Sequence, residues 1–207
     1  MSTTRRRVVI ASGAAVIAAP ALLLRVHAQT PLRPTPRQTE GPFYPVELPA
    51  DRDHDLLANG TRNYSKGQAT WLAGAVRDTS GAPLAGAAVE IWQCDQDGHY
   101  HHPGDRGRAD PAFQGFGRVI ADDQGRYRFR TLRPAPYSGR TPHIHLKVKQ
   151  GSRELLTTQV YVAGDPGNER DGLWRRLSAA DRDALTVAFA PGSDGVLAAQ
   201  FGVVVEA

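Results

Sequence analysis

Cysteine is nearly absent from this 207-residue chain, which contains only Cys94. A single thiol excludes an intrachain disulfide framework and the thiolate-rich sites that usually hold structural zinc. The sequence also lacks a glycine-rich phosphate loop, a long-period repeat and coiled-coil heptads. These absences exclude disulfide scaffolds, P-loop nucleotide-binding proteins and solenoids.

A surplus of charge is missing as well, once the N-terminus is set aside. Residues 1–28 contain four of the 25 basic residues and none of the 21 acidic ones, so the remainder carries 21 of each. The formal net charge of +4 therefore belongs to the N-terminal segment. No electrostatic attraction to nucleic acid or to an anionic membrane is expected for the rest of the chain.

The N-terminal segment has the three parts of an export signal. Arginines occupy positions 5–7, residues 8–24 are uncharged, and Val26-His27-Ala28 places small residues before a cleavage point. The sequence predicts a twin-arginine signal peptide over residues 1–28 and a periplasmic or extracellular location. The alternative is a membrane anchor, for which this uncharged run is marginal against a hydrocarbon core of roughly 30 Å. No membrane association is expected after processing.

The rest of the chain is predicted to form one β-rich domain. Residues 29–39 contain three prolines and no apolar period, which is typical of an extended linker, and residues 40–207 form the domain. Ser178 and Asp181 predict the start of one short helix whose apolar face includes Leu185, Val187 and Phe189. Short strands separated by glycine turns predict an antiparallel β-sandwich. The expected strands are 70–77, 87–93, 118–121, 126–131, 143–149, 155–162 and 196–205.

Two histidines in one predicted strand form a candidate metal site. Because side chains alternate along a strand, His143 and His145 emerge on one face, and Ile144 and Leu146 face the core. Two imidazoles one strand repeat apart can bind a single metal ion. A bare pair of this kind also fits ordinary strand histidines, so it does not define a site by itself.

Two tyrosines extend this candidate set. Tyr137 lies six residues before His143, and Tyr100 follows the turn at Asp97-Gly98. Phenolate oxygen favours a hard metal ion of high charge, and imidazole is compatible with iron. A ferric ion would lower the phenol pKa from about 10 and keep both tyrosines deprotonated.

Six segments of the sequence form a recognisable series. They are VEIWQ at 89–93, DGHY at 97–100, GFGR at 115–118, DQGRYRF at 123–129, PY at 136–137 and RTPHIH at 140–145. In this order they resemble the intradiol ring-cleavage dioxygenases, and within them the iron-binding chain of the protocatechuate 3,4-dioxygenases. The likeness covers roughly residues 39–164.

This resemblance implies an Fe(III) centre that opens a catechol-type ring with O₂ to give a cis,cis-muconate-type diacid. Tyr100 and His145 would be the equatorial ligands and Tyr137 and His143 the axial ones. Tyr137 would also take a proton from the substrate. Two further residues would act beside the bound diol, namely Arg140 and Gln159.

The sequence also departs from the family pattern. Only five residues separate Tyr137 from His143, and Gly139 stands where a tryptophan is common. The identity of the catechol, like the oligomeric state, therefore stays open. One alternative is a non-catalytic transthyretin-like or adhesion module built on the same sandwich. Another is a cupin-type metal enzyme using His143, His145 and Glu154, which leaves both tyrosines unexplained.

Overall fold

The computed structural model describes residues 30–192 and 194–207. The predicted signal segment, residues 1–28, and the first residue of the predicted linker lie outside this part of the chain. Within the described part, each helix is too short or too polar to traverse a bilayer.

Twelve strands and one α-helix form the framework of the described residues. The strands are β1 Ala58–Asn59, β2 Arg62–Asn63, β3 Ala69–Asp78, β4 Ala88–Trp92, β5 Phe116–Ile120, β6 Arg126–Leu132, β7 His143–Gln150, β8 Arg153–Val162, β9 Thr186–Val187, β10 Ala190–Pro191, β11 Leu197–Gln200 and β12 Val203–Val205. Helix α1 spans Ala179–Leu185, and 3₁₀ turns span Pro103–Asp105, Asn168–Arg170 and Trp174–Arg176.

Ten of the strands form two five-stranded sheets. The site sheet has the order β5-β4-β7-β8-β9, and the opposite sheet has the order β10-β11-β3-β12, with β6 paired to β3. The central pairs are antiparallel, which confirms the predicted sandwich. Parallel pairs join β9 to β8, and β11 and β12 to β3, an arrangement that the sequence pattern did not predict.

The core lies between the two sheets. Leu72 and Phe129 come from the opposite sheet, and Ile91, Ile144 and Leu146 come from the site sheet, all without exposed surface. Burial of each such side chain stabilises the fold by about 1.5–3 kcal/mol. This core confirms the predicted inward direction of Ile144 and Leu146.

Two of the predicted elements have different ends in the structure. The strand expected over 196–205 is interrupted between β11 and β12, because the Phe201 carbonyl accepts a hydrogen bond of 2.6 Å from Tyr127 Oη. The helix begins after Ser178 as predicted, since the Ser178 side chain accepts from the Asp181 amide. It ends at Leu185, before two β-branched residues, and Val187 belongs to β9 instead.

An extended segment, residues 36–44, crosses the outer face of the site sheet and is called the strap here. The Gln38 amide donates to Thr157 O at 2.9 Å, and Thr158 Oγ1 donates to Pro36 O at 2.7 Å. The described residues of the predicted linker, 30–39, have no regular secondary structure. Hydrogen bonds to β8 thus fix a segment that its prolines keep out of the sheets.

Candidate metal centre

The register of the site sheet places the candidate residues in rows. His145 pairs with Trp92 of β4 on one side and with Gln159 of β8 on the other, and His143 pairs with Tyr161. Residues directly opposite each other share a face of the sheet. The two histidines therefore lie together on the outer face, as predicted, and both are 1% exposed.

The two imidazoles turn their Nε2 atoms toward each other, 3.2 Å apart. His143 Nδ1 lies 2.6 Å from Thr141 O, and a carbonyl accepts, so Nδ1 carries the proton and Nε2 presents a lone pair. Burial lowers the pKa of His143 to about 4, and burial together with the neighbouring His143 and Arg140 lowers that of His145 well below its usual value. Both rings are therefore neutral at pH 7, the form that binds a metal ion.

Both tyrosines come to this histidine pair from separate loops. The Tyr100 ring centroid lies 5.0 Å from that of Tyr137 and 6.3 Å from that of His145, and Tyr137 lies 5.5 Å from His143. Tyr100 Oη is buried without a hydrogen-bond partner of normal geometry among the described residues. Burial raises the pKa of Tyr100 well above 10. Its phenolate would form here only beside a cation.

These four donors have the chemistry that fits a hard metal ion. Among residues 30–192 and 194–207, no three His, Cys, Asp or Glu side chains lie together as a metal site. The alternative with Glu154 is wrong, because that carboxylate pairs with Arg37 at 2.9 Å and with Lys147 at 3.2 Å. The candidate set in the described residues therefore consists of the phenol oxygens of Tyr100 and Tyr137 and the Nε2 atoms of the two histidines.

A tight turn sets Tyr137 beside Arg140. The Arg140 amide donates to Tyr137 O at 2.7 Å, and the two residues between them, Ser138 and Gly139, have φ values of 41° and 77°. Positive φ at both central positions belongs to the mirror-image turns, for which glycine has no steric penalty. The five-residue segment before His143, a departure from the family pattern, therefore begins with this two-residue turn.

The Arg140 guanidinium is held on two sides. Its Nε donates to Asp171 Oδ2 at 2.6 Å, and its Nη2 donates to Gln159 Oε1 at 2.7 Å. Asp171 is fully buried and also accepts from the Thr141 amide at 3.0 Å. The adjacent Arg140 helps to hold the pKa of Asp171 below its usual value although burial opposes this. The pair fixes Arg140 next to the start of β7.

Gln159 connects this arginine to the strap. While Oε1 accepts from Arg140, Nε2 donates to Thr39 O at 2.9 Å. Tyr161 Oη also donates to Gln159 Oε1, at 3.0 Å. Gln159 therefore does not face solvent, and its side chain is fully buried.

The strap places an aromatic ring, that of Phe43, against both tyrosines of the candidate centre. Phe43 stacks on Tyr100 with centroids 4.6 Å apart and packs edge-on against Tyr137 at 5.7 Å. Gly41 has φ of 73°, and a Cβ there would lie 3.4 Å from His145 Cε1. A glycine at this point lets the backbone approach the imidazole closely.

His145 is oriented by stacking instead of a hydrogen bond. Its ring lies parallel to that of Trp92, with centroids 4.7 Å apart and planes 9° apart. Its Nδ1 has no hydrogen-bond partner in the described residues. Tyr44 then packs edge-on against Trp92 at 5.0 Å and donates to the buried Glu90 at 2.9 Å.

The sequence did not identify Asp171. It stands alone in a polar stretch and has no motif spacing to the histidines. Its function follows from a contact across 31 positions of the chain, which no local pattern encodes. Phe43 did carry a signal in the sequence, since its segment, Gly-Pro-Phe-Tyr-Pro at 41–45, predicts aromatic side chains that pack onto the domain.

Comparisons with known proteins agree with this architecture. The sequence profile of a family described as "Dioxygenase" matches residues 39–198. The chain is 36% identical over 172 residues to the protocatechuate 3,4-dioxygenase beta chain of Burkholderia cepacia, which covers 77% of this chain and 72% of that one. It is 33% identical over 172 residues to catechol 1,2-dioxygenase 2 of Acinetobacter lwoffii, covering 74% of this chain and 58% of that protein.

A solved structure is also similar. The dioxygenase domain of a dioxygenase carbohydrate-binding protein fusion from Streptomyces sp. SirexAA-E matches with a TM-score of 0.66 and 29% identity, covering 84% of this chain and 99% of that one. Fold and profile thus define the class of protein, a dioxygenase. Within that class, the chain belongs to the intradiol ring-cleavage dioxygenase family. This result argues against the non-catalytic sandwich module.

Proposed function

We propose that this protein is an Fe(III)-dependent intradiol dioxygenase. Its substrate would be a catechol-type aromatic, opened between the two hydroxyl-bearing carbons with both atoms of O₂ to give a cis,cis-muconate-type diacid. The observation that carries the proposal is the convergence of Tyr100, Tyr137, His143 and His145, whose imidazole Nε2 atoms lie 3.2 Å apart. The family membership supports the same chemistry.

The proposed ligands of the metal are these two phenol oxygens and two imidazole nitrogens. When bound, ferric iron supplies Lewis acidity that withdraws electron density from the deprotonated diol and prepares a ring carbon for O₂. Hard phenolate oxygens match a trivalent ion, and neutral imidazoles complete the set.

The side chains of the protein then handle protons and charge. Tyr137, deprotonated as a metal ligand, would accept a proton at Oη from one diol hydroxyl and leave the metal as a neutral phenol; its ring borders both His143 and a surface cleft. The Arg140 guanidinium would stabilise negative charge on the aromatic ring, and Gln159 and Asp171 hold it in place.

The strap covers part of the same space. Phe43 stacks on the face of Tyr100 and packs edge-on against Tyr137, and Gly41 lies against His145. Low polarity around the centre strengthens every electrostatic interaction within it. The strap would therefore favour ring opening over side reactions with solvent.

A visible spectrum combined with product analysis tests the proposal. Iron-loaded protein should be wine-red, because tyrosinate bound to Fe(III) absorbs visible light by charge transfer, and it should convert a catechol into an acyclic diacid. The protein would be purified without residues 1–28, which we propose direct it to the periplasm or outside the cell. Colourless iron-loaded protein that opens none of catechol, protocatechuate or hydroxyquinol would contradict the proposal.

A further inference from the structure

The loop between β4 and β5 carries the candidate ligand Tyr100, and two buried carboxylates hold the backbone of this loop. Asp95 is 1% exposed, and its Oδ1 accepts from the His99 amide at 2.9 Å. Asp105 is 6% exposed, and its Oδ2 accepts from the Tyr100 amide at 2.6 Å. Two consecutive backbone amides at the tyrosine are thus fixed by buried side chains.

The Asp105 carboxylate reaches the Tyr100 amide because the chain reverses direction between the two residues. The Asp105 amide donates to His102 O at 2.9 Å, at the end of the 3₁₀ turn Pro103–Asp105. Arg106 then has φ of 58°, in the left-handed region. This backbone conformation is unfavourable for a residue with a Cβ, so other contacts of the loop must hold it there.

Backbone strain of this kind occurs at two places among the described residues, Arg106 and Ser138. Ser138 directly follows Tyr137, and Arg106 follows the turn that brings a carboxylate back to Tyr100. Both loops that carry a candidate phenol ligand therefore contain a strained residue. Such strain persists where the position of a side chain matters more than the local stability of the loop.

The two carboxylate oxygens of Asp105 have different partners. Oδ1 accepts from Arg108 Nη2 at 2.5 Å, and the Arg108 side chain is 60% exposed. Oδ2 accepts from the Tyr100 amide and lies 3.5 Å from His99 Nδ1. One oxygen thus faces an ion pair at the surface, and the other fixes the backbone of the candidate ligand.

The phenol group of Tyr100 has few other contacts that could fix it. Its Oη has no hydrogen-bond partner of normal geometry among the described residues, and Phe43 stacks on its ring at 4.6 Å. Because Oη lies at the end of the ring farthest from the backbone, a small rotation of the backbone displaces this atom most. A displacement of about 1 Å in a reacting group can lower a rate by about 10²-fold.

We infer that Asp105 is a positioning residue for the candidate ligand Tyr100. Its carboxylate fixes the Tyr100 amide, and through the backbone it sets the position of the phenol oxygen in the candidate centre. This inference rests on the proposed function and adds to it a residue outside the four proposed ligands. The contribution of Asp105 is the place of its oxygen atom, not its negative charge.

Three substitutions separate position from charge. Asp105→Asn keeps an oxygen that can accept from the Tyr100 amide and removes the charge. Asp105→Glu keeps the charge and moves the oxygens by one carbon, and Asp105→Ala removes both. Each would also be made together with Tyr137→Phe, where the charge-transfer band of the iron-loaded protein comes from Tyr100 alone. That band should shift or weaken with Ala and Glu and stay close to its original form with Asn.

Turnover should follow the same order in proteins that retain Tyr137. Asp105→Ala and Asp105→Glu should lower kcat by about 10²-fold, with KM for the diol nearly unchanged, and Asp105→Asn should recover most of kcat. The matched control is Asp122→Ala, in the turn between β5 and β6. Asp122 also accepts from a backbone amide, that of Arg126 at 2.9 Å, and from the guanidinium of the same residue at 2.7 Å. Its substitution should leave the band and kcat unchanged.

Hydrogen exchange supplies a readout that needs no metal. In metal-free protein, the Tyr100 amide should exchange about tenfold or more faster in Asp105→Ala and Asp105→Glu than in wild type, and Asp105→Asn should slow it again. Equal exchange at Tyr100 in wild type and in Asp105→Ala would overturn the inference. If Asp105→Ala does not fold, the comparison of Asn with Glu decides the same question.

The spectra and the exchange rates distinguish failure of this inference from failure of the proposed function. A band that is unchanged with Ala and Glu would overturn the inference and leave the proposed function standing. A band that changes as much with Asn as with Ala would overturn it as well, because charge would then be the cause. If iron-loaded wild type is colourless and opens no diol, the proposed function fails, and hydrogen exchange still decides whether Asp105 fixes Tyr100.

Discussion

The two sheets of the sandwich differ in what covers their outer faces. On the opposite sheet, β3 alternates between buried and partly exposed residues, and arginines of β6 such as Arg128 lie open to water. On the site sheet, the first six residues of β7, His143 to Val148, are buried on both faces. The strap, residues 36–44, makes this difference, since it lies across the outer face of β7 and β8.

This difference shows which face of the sandwich can form a reactive site. The outer face of the site sheet holds buried polar side chains, among them Glu90, both histidines, Lys147 and Gln159. Lys147 forms ion pairs with Glu40 and Glu154 and lies 4.0 Å above the Tyr44 ring. Buried polar groups are stabilised only when partners satisfy them, so the strap and its contacts belong to the candidate site as much as the proposed ligands do.

The largest effect is expected when one proposed ligand is removed from the outer face of the site sheet. His145→Ala should abolish iron binding, the visible band and ring opening, because three donors remain where four converged. Iron analysis, absorption spectra and a diol assay would show this. Full activity in the variant would contradict the proposed centre.

Tyr137→Phe should have the next largest effect. Without the phenol oxygen, the diol proton assigned to Tyr137 has no acceptor, and we expect kcat to fall by about 10³-fold, within the usual range for general-base catalysis. The visible band should weaken without disappearing, since Tyr100 remains. Stopped-flow spectra and steady-state rates test this, and an unchanged kcat would exclude the proton-accepting function.

Asp171→Ala should weaken the centre without touching the ligands. Loss of one partner of a buried ion pair lowers the free energy of unfolding by about 3–5 kcal/mol, and a displaced Arg140 should lower kcat by about 10²-fold. Asp171→Asn keeps an oxygen for the Arg140 and Thr141 hydrogen bonds and should recover part of kcat. Equal losses in both variants, measured by urea unfolding and by kcat, would favour a structural effect alone.

A substitution on the outer face of the opposite sheet should have the smallest effect on stability and activity. The Arg128 guanidinium lies 3.6 Å above the Trp71 ring, an exposed cation–π contact worth about 0.5–1 kcal/mol. Arg128→Ala should lower the free energy of unfolding by no more than this and leave iron content and kcat unchanged. A large loss of activity would show that the two faces are not independent.

Much of the site sheet was predictable because its signals are local. Alternation along residues 143–149 placed both histidines on one face, and glycine turns at Gly98, Gly125 and Gly151 have the positive φ that such turns require. The two-residue turn between Tyr137 and Arg140 was visible as a short segment, although its geometry was not. The interruption near Phe201 was missed, since it depends on a tyrosine 74 positions away.

The sequence alone determined the sandwich, the family and the four candidate ligands, because period-two alternation and motif order are written in neighbouring residues. Only the tertiary structure decided that Asp171 and Gln159 hold Arg140 and that Phe43 packs against both tyrosines. Those contacts join residues far apart in the chain. Their energies depend on distance and burial, which exist only after the chain has folded.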